Sequence, residues 1–230
     1  MRQTREFDGS EYIIECEEHP NYQHPSWFTF DDETDVRARD WRIRPGDVVL
    51  DVGAAYGSYT LTALVSGASF VYAWSPQGPE GEPSEAEYLR RSLAANEWLT
   101  RCVVIEGGCY DRSGWLNAST QEFSATKPEG DKMDNDVIRV DKLDDFFDSS
   151  GMEHCEWMKL DVEGAEVEVL KGAERMIRAL KPTILVENHL FKRNTIAEEV
   201  RSLLGDMGYR HISTHPYHSV SHSVYRAKSS

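Results

Sequence analysis

Two periods of apolar residues alternate along the chain. Short runs rich in β-branched and aromatic residues occur at Val48–Leu50, Ser69–Trp74, Cys102–Ile105, Glu156–Leu160 and Thr183–Glu187. Each has the length of a strand buried on both faces. Between them the spacing becomes helical: Thr60–Val65, then Ala86, Leu89 and Leu93 in a segment running through Asn96. Ala165–Leu180 places Leu170, Ala173, Ile177 and Leu180 on one face, and Asn194–Met207 aligns Ile196, Val200, Leu203 and Met207. Boundary signals agree. Ser84, with Glu87 three residues on, predicts a capping box, Pro182 ends one helix and Gly208 another. Val137–Val140 predicts a short strand and Lys142–Phe147 a helical turn. Tyr209–Ser213 and Ser219–Tyr225 predict a closing antiparallel hairpin around His215-Pro216.

Alternating strands and helices at this spacing predict an α/β fold: a mostly parallel seven-stranded sheet with helices on both faces, ending in that hairpin. Ligands in such sheets bind beyond the carboxyl ends of the strands. Asp51–Gly57, Ser75, Glu106–Cys109, Asp161–Gly164 and Glu187–His189 should therefore meet at one rim. The core domain is expected over residues 41–230, with residues 1–40 as an N-terminal extension packed on it. In that extension Glu11–Glu18 suggests a strand and Asp31–Trp41 a helix. Residues 111–135 are polar and irregular, and are expected to form a long loop.

Composition narrows the function. At 230 residues the chain can bury one sizeable core. A net charge of −15 speaks against a nucleic-acid partner, because phosphate backbones call for Lys/Arg surfaces. No apolar run approaches the ~20 residues of a membrane span, and the first fifteen residues hold no apolar signal segment. Cys16, Cys102, Cys109 and Cys155 are scattered, as reduced thiols of a cytoplasmic protein would be. His211, His215, His218 and His222 match no zinc spacing. Trp27, Phe28 and Phe30 are expected to anchor the N-terminal segment in the core, with a lid over the substrate as the other reading. Oligomeric state is left open.

The chemistry begins at Asp51-Val52-Gly53-Ala54-Ala55-Tyr56-Gly57. A glycine turn between strand and helix lets backbone approach a ligand, and the helix start offers free N–H groups. The spacing is not the G-x-G-x-x-G of a dinucleotide fold. It resembles the first motif of class I S-adenosylmethionine-dependent methyltransferases. Trp157-Met-Lys159-Leu-Asp161-Val-Glu163-Gly164-Ala-Glu166, followed by Pro182-Thr-Ile-Leu-Val-Glu187-Asn-His189, resembles the signature of the FkbM family over roughly residues 44–212. The resemblance implies a Rossmann-like fold with S-adenosyl-L-methionine as cofactor, and O-methylation of a hydroxyl on a small molecule, sugar or glycan. Asp51, Gly53, Ala54, Ala55, Tyr56 and Gly57 would hold the methionine end, and Gly108 and Cys109 would lie by the adenine. Asp161 would also face the cofactor. The end of the second strand ordinarily supplies an acid to the ribose. Here it is Ser75, with Glu80 or Glu82 in the next loop as substitutes.

His189 is the expected general base, since imidazole titrates near neutrality. Asp161 and Glu163 are alternatives whose bland reading is helix capping. Glu187 and His189 are expected at the acceptor, and Lys159 as an ion-pair partner of these acids. Asp161, Glu163, Glu187 and His189 would also suit a hard divalent cation, which no spacing requires. The competing reading is a methyltransferase-fold protein kept for binding rather than catalysis, and Ser75 is the feature that favours it.

Overall fold

The computed structural model describes residues 2–7, 9–15, 40–76, 83–117, 120–128, 137–217 and 220–229. A hairpin of β1 (Arg2–Phe7) and β2 (Ser10–Glu15) comes first. The core then runs β3 (Val48–Val52), α1 (Ser58–Val65), β4 (Phe70–Ser75), α2 (Glu85–Ala95) and β5 (Cys102–Glu106). Four short strands follow: β6 (Gly108–Cys109), β7 (Gly114–Asn117), β8 (Phe123–Ser124) and β9 (Val137–Asp141). The chain finishes with α3 (Leu143–Ser150), β10 (Trp157–Leu160), α4 (Glu166–Gly172), α5 (Glu174–Leu180), β11 (Thr183–Asn188), α6 (Ile196–Asp206), β12 (Tyr209–Tyr217) and β13 (Val220–Ala227).

The main sheet has seven strands in the order β12-β13-β11-β10-β3-β4-β5. β11, β10, β3, β4 and β5 are parallel, and β13 turns back against both β11 and β12. Successive side chains on a strand face opposite sides, and each side has its own core. Leu50, Val52, Met158, Leu160, Ile184 and Val186 join Leu170 and Val200 on one side. Val49, Val71, Trp157 and Leu185 join Leu61, Leu89 and Trp41 on the other. A sheet covered on both faces explains strands written as continuous apolar runs. Truncating one such residue, Leu185→Ala, would remove about 2–5 kcal/mol.

Four expectations are corrected. The closing hairpin does not turn at His215-Pro216, which lie inside β12 opposite His222 and Ser221. The stretch 111–135 is not one loop: β7 and β8 lie in a second, four-stranded sheet of order β6-β9-β7-β8. These strands are too short for their period to show, although β7 alternates buried and half-buried positions. Ala165–Leu180 is two helices, broken at Ala173. At Gly172 a Cβ would lie 2.0 Å from the Tyr110 carbonyl oxygen, so the helix yields where the β6 loop presses on it. The N-terminal strand is a full hairpin. Its β2 strand buries Tyr12 and Ile14 against the core and is gripped by α2: Ile13 N–H donates to Asn96 Oδ1 at 2.8 Å, and Glu15 N–H to Ser92 Oγ at 2.7 Å. The helix expected at Asp31–Trp41 lies outside the described residues, except at its end, as do Cys16, Trp27, Phe28, Phe30, Glu80, Glu82 and His218. No helix of the described residues is long and apolar enough to cross a membrane.

Candidate active site

The turn after β3 is fixed by backbone. The N–H groups of Gly53 and Ala54 both donate to the Trp74 carbonyl at the end of β4, at 3.1 and 2.7 Å. Asp161 N–H donates to the Val52 carbonyl at 3.0 Å. Gly53, at φ +85°, stands so close to the loop after β10 that a Cβ on it would lie 1.6 Å from the Asp161 carbonyl oxygen. The turn therefore admits only glycine at this position. Gly57, at φ +90°, precedes α1 and packs beneath the Leu89 side chain. Asp51 is wholly buried behind the turn and accepts from Thr60 Oγ1 at 2.6 Å. Burial raises its pKa, against the opposing charge of Lys159. It braces the start of α1 rather than facing open space.

Two cavities meet at the turn after β3. The first, about 260 Å³, lies beyond β3, β4 and β5, with Trp74, Leu116 and Ile138 as apolar walls and Gly107, Gly108 and Cys109 along one side. The second, about 310 Å³, is polar, with Ala54, Tyr56, Tyr59, Lys159 and Glu187 in its wall. Gly53, Ala55, Glu85, Asp161 and Glu163 line both. Two of these shared residues, Ala55 at φ +48° and Glu163 at φ +54°, hold left-handed backbone without being glycine. Such strain persists where the surroundings over-determine it, and it concentrates at functional sites.

Beyond the shared wall lies a buried charge cluster at the ends of β10 and β11. Lys159 Nζ donates to Asp161 Oδ2 at 2.7 Å and sits 4.6 Å above the Tyr59 ring. Burial opposes the charge on Lys159, but Asp161 and Asp51 outweigh it and hold it firmly protonated. Burial would raise the Asp161 pKa, yet Lys159 and His189 keep it below the ordinary value. His189 Nδ1 is 2.5 Å from Oε1 of the wholly buried Glu166. Its Nε2 points at Asp161 Oδ1 (3.6 Å), Glu163 Oε2 (3.5 Å) and Glu187 Oε1 (3.8 Å). Burial lowers the His189 pKa, but the Glu166 hydrogen bond and the charges of Asp161, Glu166 and Glu163 raise it further, to about 9.

The sequence-predicted site residues therefore divide. Gly53, Ala54, Ala55, Tyr56, Gly108, Cys109, Asp161, Glu163 and Glu187 reach the cavity walls; Asp51, Gly57, Ser75 and His189 do not. Ser75 is wholly buried, and its hydroxyl finds no hydrogen-bond partner among the described residues. It is too deep to hold a ribose. His189 is 2% exposed. It lies behind both cavity walls, and the acids around it favour the imidazolium, which opposes its expected role as general base.

A sequence model of the methyltransferase FkbM domain matches residues 51–211. The chain belongs to the FkbM methyltransferase family. Solved structures share the fold. An FkbM methyltransferase from Methylobacillus flagellatus KT superposes with a TM-score of 0.57 at 18% identity, over 80% of this chain and 44% of its own. This chain thus spans less than half the length of that protein. The putative methyltransferase yhhF of Escherichia coli gives 0.53 at 11% identity, over 96% and 94% of the two chains. TYW2 of M. jannaschii, solved in complex with AdoMet, gives 0.50 at 14% identity, over 98% and 84%. A comparison with curated proteins finds no match.

In this FkbM-family chain, spacing alone misses Glu85 and gives Glu166 no task. Glu85 opens α2, right after the residue that caps it; Ser84 Oγ accepts from Glu87 N–H at 3.1 Å, as predicted. An acid at a helix start reads as dipole compensation. Its place in both cavity walls is a tertiary fact. Burial, with Asp161 and Glu163 nearby, lifts its pKa to about 7. The C-terminal histidines have separate partners. His211 meets Thr214 at 2.7 Å, His215 meets Asp40 at 2.6 Å and His222 meets Glu187 at 3.0 Å.

Proposed function

We propose that the chain is an S-adenosylmethionine-dependent O-methyltransferase acting on a hydroxylated small molecule, sugar or glycan. What carries the reading is the wall common to both cavities, since a donor in one would face an acceptor in the other across Gly53, Ala55, Glu85, Asp161 and Glu163. The first cavity suits a nucleoside: apolar faces for a base, glycine backbone at 107–108, and Glu85 to accept from ribose hydroxyls in place of the buried Ser75. The bound cofactor would supply a methyl group on a sulfonium sulfur. The second cavity has carboxylates and one ammonium in its wall, which suit an acceptor bearing several hydroxyls.

Positioning supplies much of the rate in an in-line displacement. Lys159 is committed to Asp161, and His189 lies behind the cavity walls, so neither is placed to accept the hydroxyl proton. Glu163, with its side chain 65% exposed and in the wall of both cavities, is the carboxylate placed to receive it. The test is transfer of isotope-labelled methyl from S-adenosylmethionine to panels of polyols, amines and thiols. The reading expects label in an acid- and base-stable ether. Label found on nitrogen or sulfur alone would contradict it.

A further inference from the structure

We infer that Asp161, Glu187 and His189, with Glu163 as a fourth donor, form a site for one divalent cation of the Mn²⁺/Mg²⁺ class at the floor of the second cavity. Ligand atoms of Asp161, Glu187 and His189 lie within 4.8 Å of one another. The outer atom of each is already held. Lys159 occupies Asp161 Oδ2, His222 Nε2 lies 3.0 Å from Glu187 Oε2, and Glu166 lies 2.5 Å from His189 Nδ1. This leaves Asp161 Oδ1, Glu187 Oε1 and His189 Nε2 as the atoms turned toward one another, and a cation there would take the place of the Nε2 proton, which is released to solvent.

His189 is the independent observation. It is almost fully buried, yet Nε2 has no atom of the three acids closer than 3.5 Å. Its orientation comes from Glu166, which is itself buried and whose same oxygen also accepts from Gly164 N–H at 3.1 Å. A carboxylate behind a histidine whose other nitrogen faces other acids is the outer shell that metal-binding histidines have. Around a cation, donors stand about 2.0–2.2 Å from the ion and about 3 Å from one another. Spacings of 3.5–3.8 Å about Nε2, in a set that spans up to 4.8 Å, must close by about half an ångström to nearly two. Charge agrees: four carboxylates, those of Asp161, Glu163, Glu166 and Glu187, surround a histidine with one ammonium, Lys159. Mostly oxygen donors with one imidazole fit Mn²⁺ or Mg²⁺ better than a thiolate metal. Three or four protein donors leave coordination positions open toward the second cavity. The acceptor role of the cation rests on the methyl-transfer reading: there it would hold the acceptor oxygen and ease loss of its proton. The site itself does not depend on that reading.

The test uses the full chain stripped of metal with a chelator. Mn²⁺ alone is titrated in, and free Mn²⁺ is read by electron paramagnetic resonance. One saturable site is expected. Glu187→Gln and Asp161→Asn should each weaken it by about tenfold or more, and Glu166→Gln, which touches no cation, by about tenfold. Glu153→Gln, an exposed acid elsewhere, should leave it unchanged. Circular dichroism establishes that each variant is folded. No saturable site, or one equally strong in folded Glu187→Gln and Asp161→Asn, would overturn the inference. A parallel metal-free titration with S-adenosylhomocysteine separates the two claims. Cofactor bound without Mn²⁺ binding sinks the cation site alone, and Mn²⁺ bound without cofactor sinks the methyl-transfer reading alone.

Discussion

Gly53 and Asp161 meet backbone to backbone, with room between them for a hydrogen but not for a methyl group. The contact ties the turn after β3 to the turn after β10, and both turns wall both cavities. Gly53→Ala must displace one loop and hold alanine at φ +85°. Left-handed backbone alone costs about 1–3 kcal/mol. Thermal unfolding should therefore fall, and S-adenosylhomocysteine affinity should drop by more than tenfold, on the order of the 1.4 kcal/mol per decade. Unchanged affinity would mean that this contact does not shape the cofactor site.

Glu85 gives a pH signature. Its pKa is raised in the fold to about 7 from an ordinary 4.5. The folded state thus holds the proton more tightly, and the fold loses stability as pH rises from about 4.5 to about 7. Glu85→Gln should remove that loss and raise the melting temperature above pH 7. Cofactor affinity should move the opposite way. Ribose hydroxyls donate to a carboxylate, so wild-type affinity for S-adenosylhomocysteine should rise between pH 6 and 8. In Glu85→Gln it should be flat and about tenfold weaker at pH 8. Identical pH profiles would remove Glu85 from the ribose.

Glu166 and His189 form a buried pair, and deleting Glu166 removes the one group at hydrogen-bond distance from His189 Nδ1 while Asp161, Glu163 and Glu187 still face Nε2. Glu166→Ala should cost about 1–3 kcal/mol of stability, visible in chemical denaturation at pH 7. A loss under about 1 kcal/mol would show that Asp161, Glu163 and Glu187 hold His189 without Glu166.

Asn96 holds the N-terminal hairpin with both ends of its amide: Oδ1 accepts from Ile13 N–H at 2.8 Å and Nδ2 donates to the Ile13 carbonyl at 2.6 Å. Asn96→Ala should cost about 1–3 kcal/mol and expose residues 2–15 to proteolysis, with cofactor affinity intact. A weakened cofactor site would make the hairpin part of the active-site scaffold.

The sheet was legible because strands buried on both faces are written as unbroken apolar runs, and Ser84 and Gly208 marked helix ends where predicted. The second sheet was not, because β6 and β8 are two residues long. The break at Ala173 was hidden because the apolar spacing runs on through it; next to it, Gly172 lies against the Tyr110 carbonyl, a contact with a residue distant in sequence. In the site, the residue types at the strand ends could be read, but not their depth. Ser75 and His189 follow the expected strands and are buried, while Glu85 enters the wall from a helix start. The charge on His189 depends on Glu166, whose place behind the ring only folding reveals.

The cavity beyond β3, β4 and β5 is expected to take S-adenosylmethionine. Isothermal titration of the full chain with S-adenosylhomocysteine tests it most directly. The account predicts one site per chain with a dissociation constant on the order of micromolar, about −8 kcal/mol, weakened by Gly53→Ala. Absence of heat at millimolar ligand, with the protein folded, would contradict it.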